Sequence, residues 1–407
     1  MNISSLIIYN FIMTFVMIIF YPVLSIYYKL EISKKYPIWI HCASLGEVKI
    51  ALRLLSNLVR SLNIKSSEIL LTTTTISAKN FAFNFHKDVY ILPLDYYFFV
   101  EKFIKKVKPK VFIIIETELW PNYITLLKKY GCKIFLLNGR ISKRTYIFMK
   151  LFNCFFKNVI DKIDYFLVRE EIDYIRFLNL GVKKDKLIIT GNMKYDDAEE
   201  EICDIKREDF YFSHDDFIIM FGSIREKEEK LIIKFIKKFL YEPNIKFILS
   251  ARHLKLNKKI CRILKKEKIT YKLRTQISKT NNEDNFKCLI IDTYGELKKF
   301  YQISNIAFVC GSILPYGGQN IIEPASLGKL VIFGKYIHNF LHPAKILLKN
   351  KAAICVKDLD ELYNVVRDIL KNPQKYANIG ENAKITVKKL KGVTQKNIEL
   401  MKKFIVI

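Results

Sequence analysis

The chain has 407 residues, half of them hydrophobic and 27% charged, a composition that excludes a disordered or collagen-like polymer. That length exceeds one ordinary core and predicts two domains. Lys and Arg outnumber Asp and Glu by 68 to 40, a net charge of +28, which admits nucleic acid, an anionic membrane surface or a phosphorylated substrate as partner.

From Met1 to Tyr28 no side chain is charged, and Ile3–Ile26 is nearly continuous apolar sequence followed by Lys29, Lys34 and Lys35. About 20 apolar residues reach across a bilayer, and basic residues after the run, not before it, argue against a cleaved signal peptide. The positive-inside rule then places the body in the cytoplasm, so residues 1–28 are expected to anchor the chain at the cytoplasmic face of a membrane. Asn10, Thr14 and Pro22 interrupt the run, which leaves both a span and a surface-lying helix open.

Short apolar runs then alternate with helical patterns. Ile38–Ile40, Glu68–Thr72, Val89–Leu92, Val111–Ile115, Ile134–Leu137 and Tyr165–Val168 read as buried strands, each followed by a helix. The rhythm pauses in the acidic stretch Asp196–Asp216 and resumes with Phe217–Phe221, Lys246–Ser250, Cys288–Ile291, Ile306–Cys310 and Leu330–Phe333. Strands separated by helices imply parallel sheets. The expected fold is therefore α/β, with two Rossmann-like domains (29–197 and 215–385), a linker at 198–214 and a C-terminal helix at 386–407. Two such halves would face a cleft lined by carboxyl strand ends, where small ligands bind.

The eight cysteines are scattered without a C-x-x-C pair, which offers neither a zinc knuckle nor a disulfide framework. Asp358-Leu-Asp360 precedes a helical pattern and is expected to cap it, not to hold a metal. Gly311-Ser-Ile-Leu-Pro-Tyr-Gly317-Gly318-Gln-Asn320-Ile-Ile-Glu323-Pro324 follows one strand and leads into a helix. Glycines there let backbone approach a ligand, the following helix offers N–H groups to anionic oxygens, and Glu323 suits the two hydroxyls of a ribose.

This run resembles the nucleotide-sugar site of GT-B glycosyltransferases, and the chain as a whole is similar to the Kdo (3-deoxy-D-manno-octulosonic acid) transferase family. The matching segments run from His41-Cys-Ala-Ser-Leu-Gly-Glu47-Val and Leu92-Pro-Leu-Asp95 through Ile115-Glu116-Thr-Glu118-Leu-Trp120-Pro121 and Asn138-Gly-Arg140 to Gly191-Asn-Met-Lys194-Tyr-Asp196. Gly222-Ser, Ala251-Arg252-His253, Asp292-Thr-Tyr294-Gly295-Glu296 and Gly317–Pro324 complete the series, spanning about residues 38 to 340. Departures are Gln319 for the family's usual His, Ala251 for its usual Pro, and a basic aromatic segment reduced to Lys29–Tyr36.

The resemblance implies transfer of Kdo from CMP-Kdo onto the lipid A precursor with inversion, needing no metal or cofactor. It makes Glu47 the general base, with Glu116 and Lys194 supporting the transition state. It assigns CMP binding to Ala251, Arg252, Tyr294, Gly295, Glu296, Asn320, Ile321, Ile322 and Glu323. Taken alone, Glu47 would read as a first-turn helix carboxylate and Lys194 as a surface charge. Glu116, ending a very apolar strand, is out of place in a core by any reading. His41 and His253 are expected to be structural. The anionic inner membrane is the expected partner surface. Two alternatives remain: another GT-B enzyme with a different nucleotide sugar, and a basic membrane-tethered nucleic-acid binder, for which no recognition motif is present.

Overall fold

The structure is a computed structural model that describes residues 9–11, 13–14, 32, 34–197, 204–277 and 285–405. Two compact units divide the chain: Met1–Asp196 with Gly392–Ile407, and Asp197–Lys391.

In the first unit the order is β1 (Ile38–His41), α1 (Leu45–Leu62), β2 (Ile69–Thr73), α2 (Ile76–Phe83), β3 (Val89–Ile91), α3 (Tyr97–Val107), β4 (Val111–Ile115) and α4 (Pro121–Lys129). It continues with β5 (Lys133–Gly139), α5 (Lys143–Leu151), α6 (Asn153–Ile160), β6 (Tyr165–Val168), α7 (Glu171–Asn179) and β7 (Leu187–Ile189). The second unit holds β8 (Phe217–Ile224), α8 (Glu228–Lys237), β9 (Ile245–Ala251), α9 (Asn257–Lys266), β10 (Tyr271–Leu273), β11 (Cys288–Ile291), α10 (Leu297–Ile303), β12 (Ile306–Val309) and α11 (Ile322–Ser326). After them come β13 (Leu330–Gly334), α12 (Leu341–Lys349), β14 (Ile354–Val356), α13 (Leu359–Lys371) and α14 (Pro373–Leu390), and α15 (Val393–Lys402) returns to the first unit.

Each unit has a seven-stranded parallel sheet, in the orders β3-β2-β1-β4-β5-β6-β7 and β10-β11-β9-β8-β12-β13-β14. Such sheets are covered on both faces, which is why their central strands are unbroken apolar runs; Val111–Ile115 is buried at all five positions. Trp39 anchors one face of the first core, its ring 4.5 Å from Phe112 and 5.0 Å from Phe103, and its indole N–H donates to Thr72 Oγ1 at 2.8 Å. The chain direction across the sheet reverses between β1 and β4 in the first unit, and between β8 and β12 in the second. Open α/β sheets bind ligands beyond the strand ends at such points.

Several expectations are corrected. The expected helix at 386–407 is two helices, broken at Gly392 with φ 84°, and Ile398 and Met401 of α15 join Val48, Leu54 and Leu58 in the first unit's core. Of the expected linker, residues 198–203 lie outside the described ones, while Phe210 and Phe212 are buried in the second unit's core. The strands β10 and β14 were not expected; each has three residues with incomplete burial, too short for a periodic signal. Most of the expected anchor lies outside the described residues. Tyr9–Phe11 and Met13–Thr14 are helical, and among the described residues no helix is long and apolar enough to cross a membrane. Asp358 caps α13, accepting the N–H groups of Asp360 and Glu361 at 3.1 and 2.9 Å.

Candidate active site

In the first unit, the loops after β1 and β4 bring three carboxylates together. Glu47 lies in the first turn of α1 and is 9% exposed. Its two oxygens accept Ala43 N–H at 2.8 Å and the Ser44 hydroxyl at 2.7 Å, which holds the carboxylate at the helix start. Glu116 follows β4 with φ 61°, a left-handed backbone that costs roughly 1–2 kcal/mol for a residue with a side chain. Its N–H still pairs with the Leu137 carbonyl at 2.9 Å, so the sheet fixes the turn.

Lys194 Nζ lies 2.7 Å from Glu116 Oε1. Its backbone is placed by Asn138, the next-to-last residue of β5, which has φ 55° and accepts the Met193 N–H on Oδ1 at 3.0 Å. Two left-handed residues on adjacent strand ends thus hold the two partners of this ion pair, a pattern typical of strained functional sites. Asp196 accepts Gly392, Val393 and Thr394 N–H groups, at 2.8, 3.2 and 2.7 Å, and fixes the Lys194 turn to the start of α15.

Glu118 is the third carboxylate, and sequence reasoning did not give it a role. Burial, reinforced by the charge of Glu47, pushes its carboxyl up to about 7. It therefore carries a proton part of the time at neutral pH, while sharing the loop with Glu116. Its signal was the Glu-Thr-Glu spacing after an apolar strand. His41, wholly buried with Nδ1 2.9 Å from Thr72 Oγ1, is held neutral; burial lowers it to about 4. Its ring is a buried hydrogen-bonding partner of Thr72 at the end of β1.

In the second unit the donor candidates surround the ends of β8, β9, β11 and β12. Gly317 and Gly318 have φ 91° and 79°, and a Cβ at Gly318 would lie 2.3 Å from Ile337 Cδ1. Only glycine fits this turn. Glu228, 2% exposed, holds the loop from below: its oxygens accept the Gly311 N–H at 2.9 and 2.8 Å, Ile313 N–H at 3.3 Å and Arg225 N–H at 3.0 Å. This buried carboxylate was also missed; its sequence signal was an acid opening α8 where an apolar residue would pack.

Arg252 is exposed just after β9, and Ala251 is buried as that strand's last residue. Tyr294 is 79% exposed, and Gly295 has φ 83° with open space where a Cβ would stand. Glu296 is engaged by the Thr293 hydroxyl, by Arg274 at 3.4 Å and by Lys299 at 3.8 Å, which leaves it a loop-ordering carboxylate in this structure. Asn320 Oδ1 accepts Ile322 N–H at 3.1 Å. Ile321 and Ile322 are buried side chains, so only their backbone is available to a ligand. Burial raises Glu323, with Lys298 opposing.

The family model described as 3-deoxy-D-manno-octulosonic-acid transferase (kdotransferase) matches residues 23–197, and that of glycosyl transferases group 1 matches 216–386. The chain is 31% identical to the 3-deoxy-D-manno-octulosonic acid transferase of Haemophilus influenzae, over 90% of this chain and 87% of that one. It is 30% identical to the transferase of the same name in Rickettsia prowazekii, over 94% and 83% respectively. A bifunctional glycosyltransferase/methyltransferase of Fusobacterium nucleatum is 32% identical over 82% of this chain, which spans about half (52%) of that protein. Among solved structures, a UDP-GlcNAc 2-epimerase from Neisseria meningitidis superposes with TM-score 0.61 at 12% identity, over 90% and 99% of the two chains. A glycosyltransferase from Rickettsia africae does so with TM-score 0.61 at 15% identity, over 92% and 100%. At these identities the likeness is one of fold.

Proposed function

We propose, for a chain that belongs to the 3-deoxy-D-manno-octulosonic acid transferase family, that it moves Kdo from CMP-Kdo to a sugar hydroxyl of the lipid A precursor. The observation that carries the reading is the Glu47, Glu116–Lys194 and Glu118 cluster at the β1/β4 reversal. Glycosyl transfer to an alcohol needs a base and fixed charge where the transition state develops it, and this cluster supplies both.

In the proposed reaction the acceptor oxygen bonds to the anomeric carbon as the bond to the CMP phosphate oxygen breaks. The phosphate leaves with the electron pair, and Glu47 takes the acceptor proton after releasing Ser44. One displacement inverts the anomeric carbon. Lys194, oriented by Glu116, faces developing negative charge, and Arg252 suits the leaving phosphate with its forked donors. Glu323 and Asn320 suit the cytidine ribose.

Membrane association at the inner membrane's cytoplasmic face belongs to the same proposal. It is supported by the net charge of +28 and by α5, where exposed Ile147, Phe148 and Leu151 alternate with Lys143, Arg144 and Lys150. Protein lacking residues 1–28 is expected to bind CMP still, and to leave the membrane fraction only in part. Unchanged fractionation in high salt would remove the anchor from the proposal.

The test of the reaction is incubation of the full-length protein with CMP-Kdo and tetra-acylated lipid A precursor, followed by mass spectrometry of the lipid. One or more added Kdo residues supports the reading and counts them. No adduct, with the donor intact, overturns it; consumption of another nucleotide sugar in its place favours a different GT-B enzyme.

A further inference from the structure

Asn10 and Thr14 interrupt an apolar run in which a simple anchor needs no polar side chain. Within the described part of that run, the Thr14 hydroxyl bonds back to the Asn10 carbonyl at 2.7 Å, a local helical contact. Asn10 does something different. Its Nδ2 donates to Asn122 Oδ1 at 3.1 Å, and Asn122 Nδ2 donates back to Asn10 Oδ1 at 2.8 Å, a reciprocal amide pair across 112 positions. Tyr9 donates its hydroxyl to Asp95 Oδ2 at 2.9 Å, and its ring lies 5.8 Å from that of Phe155 on α6.

The receiving side is equally specific. Asp95 is 1% exposed and accepts the N–H groups of Asn122 and Tyr123, each at 3.0 Å. Asn122 Nδ2 also donates to the Asp95 carbonyl at 2.6 Å. Asn122 and Tyr123 are the second and third residues of α4, so Asp95 caps this helix from a distance, bonding N–H groups its own turns leave unpaired. The residues immediately before α4 are Glu116-Thr-Glu118-Leu-Trp120. The far end of that loop is thus fixed by α4, as its near end is fixed by β4. Burial raises the Asp95 carboxyl to about 6, so its bonded ionised form depends on these donors.

We propose that the amino-terminal segment is a positioning element of the catalytic domain: Tyr9 and Asn10 close a hydrogen-bonded lock on Asp95 and Asn122 that sets the α4 end of the Glu116–Glu118 loop. A polar side chain in an apolar segment is unfavourable unless bonded; here Asn10 is bonded to the helix that ends the catalytic loop and Tyr9 to Asp95, which caps that helix. The inference rests on the reading of Glu116 given above. It joins the part of the chain proposed to meet the membrane to the part proposed to do the chemistry.

Full-length Tyr9→Phe, Asn10→Ala, Asn122→Ala and the Asn10/Asn122 double variant test it, with none adding a polar or charged group to residues 1–28. Loss of one such bonding group is expected to lower kcat about three- to tenfold. KM for CMP-Kdo should stay within about twofold, because the donor residues belong to the other unit, and membrane fractionation should not change. The double variant should be no worse than Asn122→Ala, since the amide pair is one interaction. Hydrogen exchange of the 116–123 amides needs no substrate and should accelerate in Tyr9→Phe and Asn10→Ala. Unchanged exchange in both variants overturns the inference whatever the activity. So does unchanged kcat while the wild type transfers Kdo. A wild type that transfers nothing defeats the functional reading, and the exchange result then still decides the lock.

Discussion

The two units share seven parallel strands and a reversal of strand order, yet they prepare the two reversal points in opposite ways. At β1/β4 the first unit holds its charges already engaged: Glu47 on Ala43 and Ser44, Glu116 on Lys194. At β8/β12 the second unit uses a buried carboxylate, Glu228, to bind backbone N–H groups of the Gly311 loop and leaves Arg252 and Tyr294 exposed. The first end thus carries charge fixed by hydrogen bonds and an ion pair, which is what the proposed transition-state stabilisation requires. The other is ordered through its backbone, and its exposed side chains are those proposed above to meet the nucleotide. The same topology thus carries fixed charge at one reversal and an ordered glycine turn with exposed side chains nearby at the other.

The largest expected effect comes from breaking the first arrangement at its base. Glu47→Gln keeps size and helix-start bonding but cannot accept the acceptor proton. A general base contributes about 10²–10⁴-fold, and transfer should fall that far while CMP affinity stays within twofold, read by calorimetry. Retention of most activity would remove Glu47 as base and make Glu116 the next candidate.

Breaking the second arrangement should reverse that pattern. Arg252→Ala and Glu323→Ala are expected to weaken CMP binding about 10- to 100-fold, the range for a charged hydrogen-bonding group. Glu228→Gln puts an amide where one oxygen accepts Gly311 N–H. It should weaken CMP binding about tenfold and lower the melting temperature as well, because the loop loses its buried acceptor. Equal loss of CMP affinity in Glu47→Gln and Arg252→Ala would contradict the division of labour between the units.

Much of this site was legible because its residues break local rules. Glu116 ends a strand of five buried apolar residues, and a carboxylate there has no packing explanation. Glu47 follows Ser-Leu-Gly at a strand end, but its bonds to Ala43 and Ser44 are also those of an ordinary helix start, so the residue alone was ambiguous. The missed groups act through backbone. Asp95, Asn138 and Glu228 bond N–H groups 27, 55 and 83 positions away, and no short-range pattern encodes such partners. Ile321 and Ile322 show the converse: a motif names positions, whereas burial decides which atoms of those positions a ligand can touch. The return of α15 to the first unit was hidden for a similar reason, since Asp196 and Thr394 meet only after the whole second unit has been crossed.

The smallest expected effect sharpens the comparison most, because it asks whether the first unit's charges are held under tension. Glu118 is raised to about 7 from its ordinary 4.5, chiefly by burial and then by Glu47. A carboxyl raised in the fold binds its proton more tightly folded than unfolded. Its contribution is therefore fully present below about pH 4.5 and is lost as pH climbs through 7. Glu118→Gln removes that titration and nothing else that titrates. The variant should gain on the wild type between pH 5 and 8, reaching about 1 kcal/mol once solvent screening of a partly exposed group is allowed for. His41, held neutral in the fold, also makes stability depend on pH through the unfolded chain, but equally in both proteins, so the difference between two denaturant series isolates Glu118. Parallel stability curves across that range would mean the loop carries no such strain. A curve that diverges, together with loss of an inflection near pH 7 in kcat, would make Glu118 a proton-holding neighbour of the base.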